Sequence, residues 1–163
     1  MRTKLLFAIC VFAGGLAISC STMTKAEREA RKAEWAEHVA KALDDRHYKI
    51  GINMMHTRRI GSKAVASDWS LEVKGDTLVS YLPYFGVAYE AAYGSSTGLN
   101  FTAPIKSYED SGFSKGKRTI RLRTNSDEDV IDYQIEVMDN GSASIDVTPR
   151  KREGISYSGT LEE

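Results

Sequence analysis

The chain has 163 residues, with 22 basic and 22 acidic side chains and a formal net charge of zero at pH 7. This length suits one domain with a short appendage, and 42% apolar with 27% charged residues is a globular rather than a disordered composition. Proteins that neutralise phosphate backbones need a surplus of lysine and arginine, so the charge balance argues against nucleic acid as a partner.

The N-terminus has the features of a secretory signal peptide. A basic start (MRTK) precedes an uncharged apolar run that is shorter than the roughly 20 residues a transmembrane helix needs. The run ends in Leu16–Cys20 (LAISC), which resembles the bacterial lipobox, whose cysteine receives a diacylglyceryl group. We therefore predict that residues 1–19 are removed and that Cys20 is the site of lipid attachment.

The alternative for Cys20 is a disulfide with Cys10, because exported proteins use disulfides, but Cys10 lies in the segment that is removed. An acylated Cys20 makes a membrane the first predicted partner, since each buried CH2 contributes about 0.8 kcal/mol to anchoring. Ser21 resembles the residue that follows the cysteine in lipoproteins sorted to the outer membrane. The predicted location is therefore the cell envelope, anchored in the outer membrane and facing the periplasm or the cell surface.

Residues 20–45 are predicted to form the lipidated N-terminus and one charged helix. Thr24 and Glu27 have the spacing of a capping box, which marks the helix start. Trp35, Val39 and Leu43 recur at helical spacing, so the second half of the helix has an apolar stripe that can dock on a body. The first half lacks such a stripe, and we interpret it as a charged spacer.

Residues 46–163 are predicted to form an antiparallel β domain, because apolar and polar residues alternate with a period of two. Gly75-Asp76 and Asn140-Gly141 mark tight hairpins, the second as a type I′ turn. A short strand is expected at residues 99–101. The predicted fold class is mainly β (α+β), with an N-terminal helix followed by a meander of about seven or eight strands, as an open sandwich or a small barrel.

The segment Ser80–Tyr89 (SYLPYFGVAY) contains a Leu-Pro-Tyr-Phe-Gly core. This core resembles the signature of a lipoprotein family of Bacteroidetes known as domain of unknown function 4251, and the similarity extends over most of residues 46–163. The resemblance implies an exported, lipid-anchored domain of antiparallel β structure. It implies no established activity, substrate or catalytic residue.

Five aromatic residues lie close together in and around this core, and they are the candidate ligand-binding residues: Tyr81, Tyr84, Phe85, Tyr89 and Tyr93. Each ring offers an apolar face, and all but one carry a hydroxyl. One interpretation is an aromatic rim for an amphipathic or glycan ligand. The other is a corner plug that seals the end of the core, where Pro83 ends a strand.

No residue set predicts a catalytic centre, a metal site or a cofactor. Gly94–Gly98 matches the G-x-S-x-G pattern of hydrolases, but no helix follows, and all three histidines precede the serine. The histidines are nine residues apart, not at the spacing that places metal ligands on one helical face. Basic clusters lie near Arg58, Arg118 and Arg150. We interpret them as charges that keep strand edges and turns solvated, and the alternative is that one cluster contacts anionic head groups.

Three functional hypotheses follow, in decreasing order of support. The first is a lipid-anchored binding module for a small amphipathic or glycan ligand at the aromatic cluster. The second is a structural or adaptor protein that contacts another envelope protein. An enzyme is the least supported, because no nucleophile, base and orienting group occur at a suitable spacing.

Overall fold

A computed structural model describes residues 23–66, 68–89, 98–127 and 129–162. The predicted signal peptide, Cys20 and Tyr93 lie outside these residues. The elements in chain order are α1 (Lys25–Asp44), β1 (His47–Thr57), β2 (Gly61–Ala64), β3 (Ser70–Lys74), β4 (Thr77–Pro83), β5 (Gly98–Ser114), β6 (Lys117–Asn125), β7 (Val130–Met138), β8 (Ser142–Pro149) and β9 (Ile155–Leu161).

The strands form a closed antiparallel barrel. Neighbouring strands pair in the order β1-β3-β4-β5-β6-β7-β8-β9, and β9 pairs back with β1. The remaining strand, β2, pairs with the last residues of β1 above the point where β3 begins. The predicted mainly β fold with an N-terminal helix is confirmed, and of the two architectures considered the chain adopts the barrel.

The alternating pattern places one face of each strand in a packed interior. Large side chains from all the barrel strands fill it as one contiguous cluster, including Ile50, Leu71, Leu78, Leu82, Ile120, Ile131, Tyr133, Ile135, Ile145 and Tyr157. The few interior polar groups are hydrogen-bonded, as burial requires. The Tyr157 hydroxyl donates to the Pro83 carbonyl at 2.7 Å, and the Ser80 hydroxyl donates to the Leu99 carbonyl at 2.7 Å.

The hairpins after β3, β5 and β7 lie at the end where β1 begins, which we call the lower end. The predicted hairpin at Asn140-Gly141 is present, but it is not a type I′ turn. Gly141 has φ +81°, whereas Asn140 does not have positive φ. The Gly141 N–H donates to the Met138 carbonyl at 2.9 Å, so Met138–Gly141 form a turn whose last residue is a left-handed glycine, the arrangement of a longer hairpin loop.

Helix α1 covers the lower end of the barrel. The Thr24 capping box is present, and Val39 and Leu43 are fully buried, as the stripe predicts. The Trp35 Nε1 donates to the Asn140 carbonyl at 3.0 Å. The same nitrogen is 2.8 Å from the position that a Cβ on Gly141 would take, so a larger residue there would collide with the indole. The second half of α1 is therefore part of the domain core. Among the described residues, no helix combines the length and apolar character needed to cross a bilayer.

A buried arginine holds the helix end to the barrel. Arg118 of β6 is 7% exposed and forms ion pairs with Asp110 of β5 and with Asp44 at the end of α1, the latter at 2.7 Å. Burial alone raises the pKa of Asp110, but hydrogen bonds from Arg118 and from the Gly112 N–H outweigh it, so the pKa lies below its usual range. The same pairing raises the pKa of Arg118.

This geometry predicts a pH-dependent contribution of Asp110 to stability. Because its pKa is lower in the folded chain, the contribution is complete above the unfolded value of about 3.9 and is lost as the pH falls through the folded value. The free-energy difference between wild type and Asp110→Asn, measured by urea unfolding followed by circular dichroism, should be largest near neutral pH and shrink in acid. Asp127→Asn, an exposed carboxylate, is the control, and an equal effect of both variants at neutral pH would contradict the assignment.

Candidate functional site at the upper end

The upper end of the barrel holds the connections after β4, β6 and β8. Strand β4 ends at Pro83, which has no N–H to donate to the ladder. From there the chain crosses the barrel end to the connection between β8 and β9. The Glu153 N–H donates to the Val87 carbonyl at 2.9 Å, and the Tyr89 N–H donates to the Lys151 carbonyl at 2.8 Å. Residues 83–89 therefore form a cover over the upper end.

Tyr84 fastens this cover. Its ring packs against the core, and its hydroxyl donates to the Glu153 carbonyl at 2.9 Å, with the Val87 carbonyl 3.3 Å away. Burial raises the pKa of this phenol, so it stays protonated and able to donate. Gly86 lies against the ring. A Cβ on Gly86 would be 2.7 Å from Tyr84 Cζ, too close for any residue with a side chain. The Tyr-Phe-Gly part of the motif is thus explained locally by a tyrosine that needs a glycine beside it.

The other described aromatic residues of the cluster remain exposed. Tyr81 lies on the outer wall of β4 and is 40% exposed, while Phe85 and Tyr89 on the cover are 54% and 67% exposed. The structure separates Tyr81 from Tyr89, because the cover runs from β4 to the opposite side of the barrel. Of the five predicted site residues, one is therefore a plug, three are exposed, and Tyr93 lies outside the described residues.

Two residues that the sequence interpretation did not include contact the exposed rings. The Trp69 indole stacks on Tyr81 with ring centroids 4.5 Å apart, and the Lys63 ammonium lies 5.6 Å from the centre of the Phe85 ring. We call Trp69, Tyr81, Phe85 and Lys63 the aromatic rim. The two-residue turn at Gly75-Asp76 sets Ser70 opposite Tyr81, and Trp69 precedes that pair by one residue. Strict alternation would point Trp69 to the other face of the sheet, so the sequence pattern alone does not predict its stack on Tyr81.

The rim has the chemistry of a recognition surface rather than of a catalytic centre. Stacked aromatic faces offer apolar area with fixed geometry, and the lysine adds a cation that can hydrogen-bond to an acceptor. Away from the rim, His56 lies between two serines, with Nδ1 2.7 Å from Ser62 Oγ and Nε2 2.8 Å from Ser158 Oγ. No carboxylate orients this imidazole in these contacts. Within residues 23–66, 68–89, 98–127 and 129–162, no three metal-ligating side chains are grouped together.

Together these features define a closed antiparallel barrel with a helix over one end and an aromatic rim at the other. The chain belongs to the family described as Domain of unknown function (DUF4251), whose sequence model matches residues 30–161. The resemblance carried by the Leu-Pro-Tyr-Phe-Gly core is thereby confirmed. The match begins inside α1, in agreement with the docking of that helix on the barrel.

The fold recurs in a crystal structure of a DUF4251 family protein from Bacteroides eggerthii DSM 20697. The two structures superpose with a TM-score of 0.63 at 14% sequence identity, over 82% of this chain and 90% of the other. At this identity the likeness concerns the fold alone. No curated protein shows significant similarity to the chain.

The different roles of adjacent rings predict different effects on stability. Tyr84→Ala removes a core contact and the hydroxyl that fastens the cover, so it should lower the free energy of unfolding by about 2 kcal/mol or more. Phe85→Ala removes an exposed ring and should change it by no more than about 0.5 kcal/mol. Urea unfolding measures both values. Equal losses would show that Tyr84 does not fasten the cover.

Proposed function

We propose that this protein is a lipid-anchored binding module of the cell envelope, and that it holds an amphipathic or glycan ligand against the aromatic rim. The observation that carries the proposal is the exposure of the rim rings on a barrel whose interior is filled by its own side chains. A ligand therefore meets the outer surface, not the barrel interior. Exposed apolar patches with polar neighbours are typical of interaction sites.

Each rim residue has a distinct role in this proposal. The Trp69–Tyr81 stack supplies a rigid platform for the apolar face of a sugar ring or an acyl segment. Phe85, four residues after Tyr81, offers a second apolar face, and Lys63 beside it donates hydrogen bonds to hydroxyl or carboxylate oxygens of the ligand. Tyr84 acts indirectly, because it holds the backbone that carries Phe85.

The test is native mass spectrometry of the chain purified from its native membranes. We expect a reproducible adduct on the wild type whose occupancy falls about tenfold in Tyr81→Ala/Phe85→Ala, equivalent to about 1.4 kcal/mol of binding. The matched control is Phe113→Ala/Met138→Ala, which removes two exposed apolar side chains elsewhere and should keep the adduct. A wild-type chain without an adduct, or equal occupancy in all three chains, would contradict the proposal.

The anchor is tested separately through the two cysteines. Acylation at Cys20 predicts that wild-type chain and Cys10→Ser both carry a diacylglyceryl mass on the N-terminal peptide, whereas Cys20→Ser does not. The disulfide alternative predicts that neither substitution changes a lipid mass, because the wild-type chain carries none, and that each substitution removes the disulfide. Intact mass measurement of membrane extracts distinguishes the two, and an unmodified Cys20 in the wild-type chain would refute the anchor.

A second candidate, the adaptor, is favoured by strand β2. All four of its residues are exposed, and among the described residues it pairs only with β1, outside the closed barrel. An open strand edge can accept an extended segment of another protein through backbone hydrogen bonds. In that case the partner protein contacts the backbone of β2. Cross-linking in native membranes would then recover a complex with that protein, and native mass spectrometry would find no small-molecule adduct.

A further inference from the structure

A groove lies between the first half of α1 and the hairpin that joins β7 to β8. Its volume is about 700 Å3, and it is lined by Met23, Arg28, Arg31, Lys32, Trp35, Ala36, Asp139 and Asn140. Three cations thus face one carboxylate across an open space. The Trp35 indole, held by its hydrogen bond to the Asn140 carbonyl, forms the inner end of the groove.

Two of the three groove cations, Arg28 and Lys32, are on the face of α1 that docks on the barrel. At 3.6 residues per turn, Arg28, Lys32, Trp35 and Val39 follow one another along a single stripe. The stripe is apolar where the barrel lies beneath it and basic where the helix extends beyond the barrel. Of the acidic residues in this part of the helix, Glu37 lies on the opposite face, whereas Glu27 and Glu34 are at i−4 and i+3 from Arg31. The segment that the sequence predicts as a spacer therefore has a basic stripe that faces the groove.

The groove cations are available for an external anion. The ion pairs of α1 within the described residues join Lys25 to Glu29 and Asp44 to Arg118. Among the residues that the structure describes, the hydrogen bond of Arg31 is to the Met23 sulfur at 3.3 Å, a weak acceptor. Arginine guanidinium groups bind phosphate oxygens through paired hydrogen bonds, and the tryptophan beside them is a residue type enriched at membrane interfaces.

The position of the groove along the chain indicates which anion it meets. Met23 is three residues after Cys20, a span of at most about 10 Å. Arg28, the first groove cation, is five residues further on, about 8 Å of chain in helical form. An acyl chain on Cys20 would therefore hold the groove close to the lipid head groups.

We propose that the groove binds the phosphate groups of anionic lipids in the leaflet that holds the anchor. The proposal rests on the lipid anchor of the proposed function, because the anchor brings the groove to the membrane. Arg28, Arg31 and Lys32 contact the head-group phosphates, and the Trp35 ring lies at the interface beside them. The contact adds an electrostatic attachment to the acyl chains.

The test is sedimentation of the lipid-free chain Ser21–Glu163 with vesicles, since α1 and the whole barrel lie within it. We expect partitioning onto vesicles of phosphatidylcholine with phosphatidylglycerol to be about tenfold stronger than onto phosphatidylcholine alone. Arg28→Gln/Arg31→Gln/Lys32→Gln should abolish this difference. The control, Lys41→Gln/Lys74→Gln/Lys106→Gln, removes the same charge from other exposed positions and should retain it.

Two results would overturn the proposal. One is equal partitioning of the wild-type chain onto both kinds of vesicle. The other is an equal loss in the two triple variants, which would mean that net charge rather than the groove drives binding. Circular dichroism checks that each variant is folded. Because the chain in this experiment carries no lipid, its outcome is independent of the mass measurement that tests acylation of Cys20.

Discussion

Closure of the barrel through pairing of β1 with β9 is the constraint on which the rest of the structure depends. The two strands approach so closely that a Cβ on Gly159 would overlap the Gly51 carbonyl. Glycine at position 159 permits the ladder to continue from Ile50–Leu161 to His56–Ser156. Once the ring is closed, its interior has a fixed size, and side chains of eight strands fill it.

A filled ring leaves two ends to be covered, and the chain uses different chemistry at each. At the lower end an amphipathic helix supplies apolar side chains, and Arg118 joins its last turn to the barrel wall. At the upper end the backbone of residues 83–89 crosses the opening and is fastened by Tyr84. Both covers pack against the core, and the outer surfaces beside them are aromatic at one end and basic at the other.

Local patterns in the sequence were sufficient for α1, the inward and outward faces of the strands, and the hairpin positions. They were insufficient for closure, because the contacts between β1 and β9 join residues about a hundred positions apart. Strand β5 was predicted at residues 99–101 only, whereas it extends to Ser114, because register shifts near Ile105 and Asp110 interrupt its alternation. The opposite orientations of adjacent Tyr84 and Phe85 depend on contacts with Glu153 and Lys63, which no local pattern contains.

The two tryptophans of the chain lie at opposite ends of the barrel. Trp35 contacts the β7–β8 hairpin under the helix, and Trp69 is stacked on Tyr81 at the rim. Each indole is therefore an intrinsic fluorophore in a distinct environment, one hydrogen-bonded beside the guanidinium groups of α1 and one shielded by a phenol ring. The fluorescence of a chain that retains a single tryptophan reports on one end of the barrel alone, so a change at the helix and a change at the rim can be followed separately in solution.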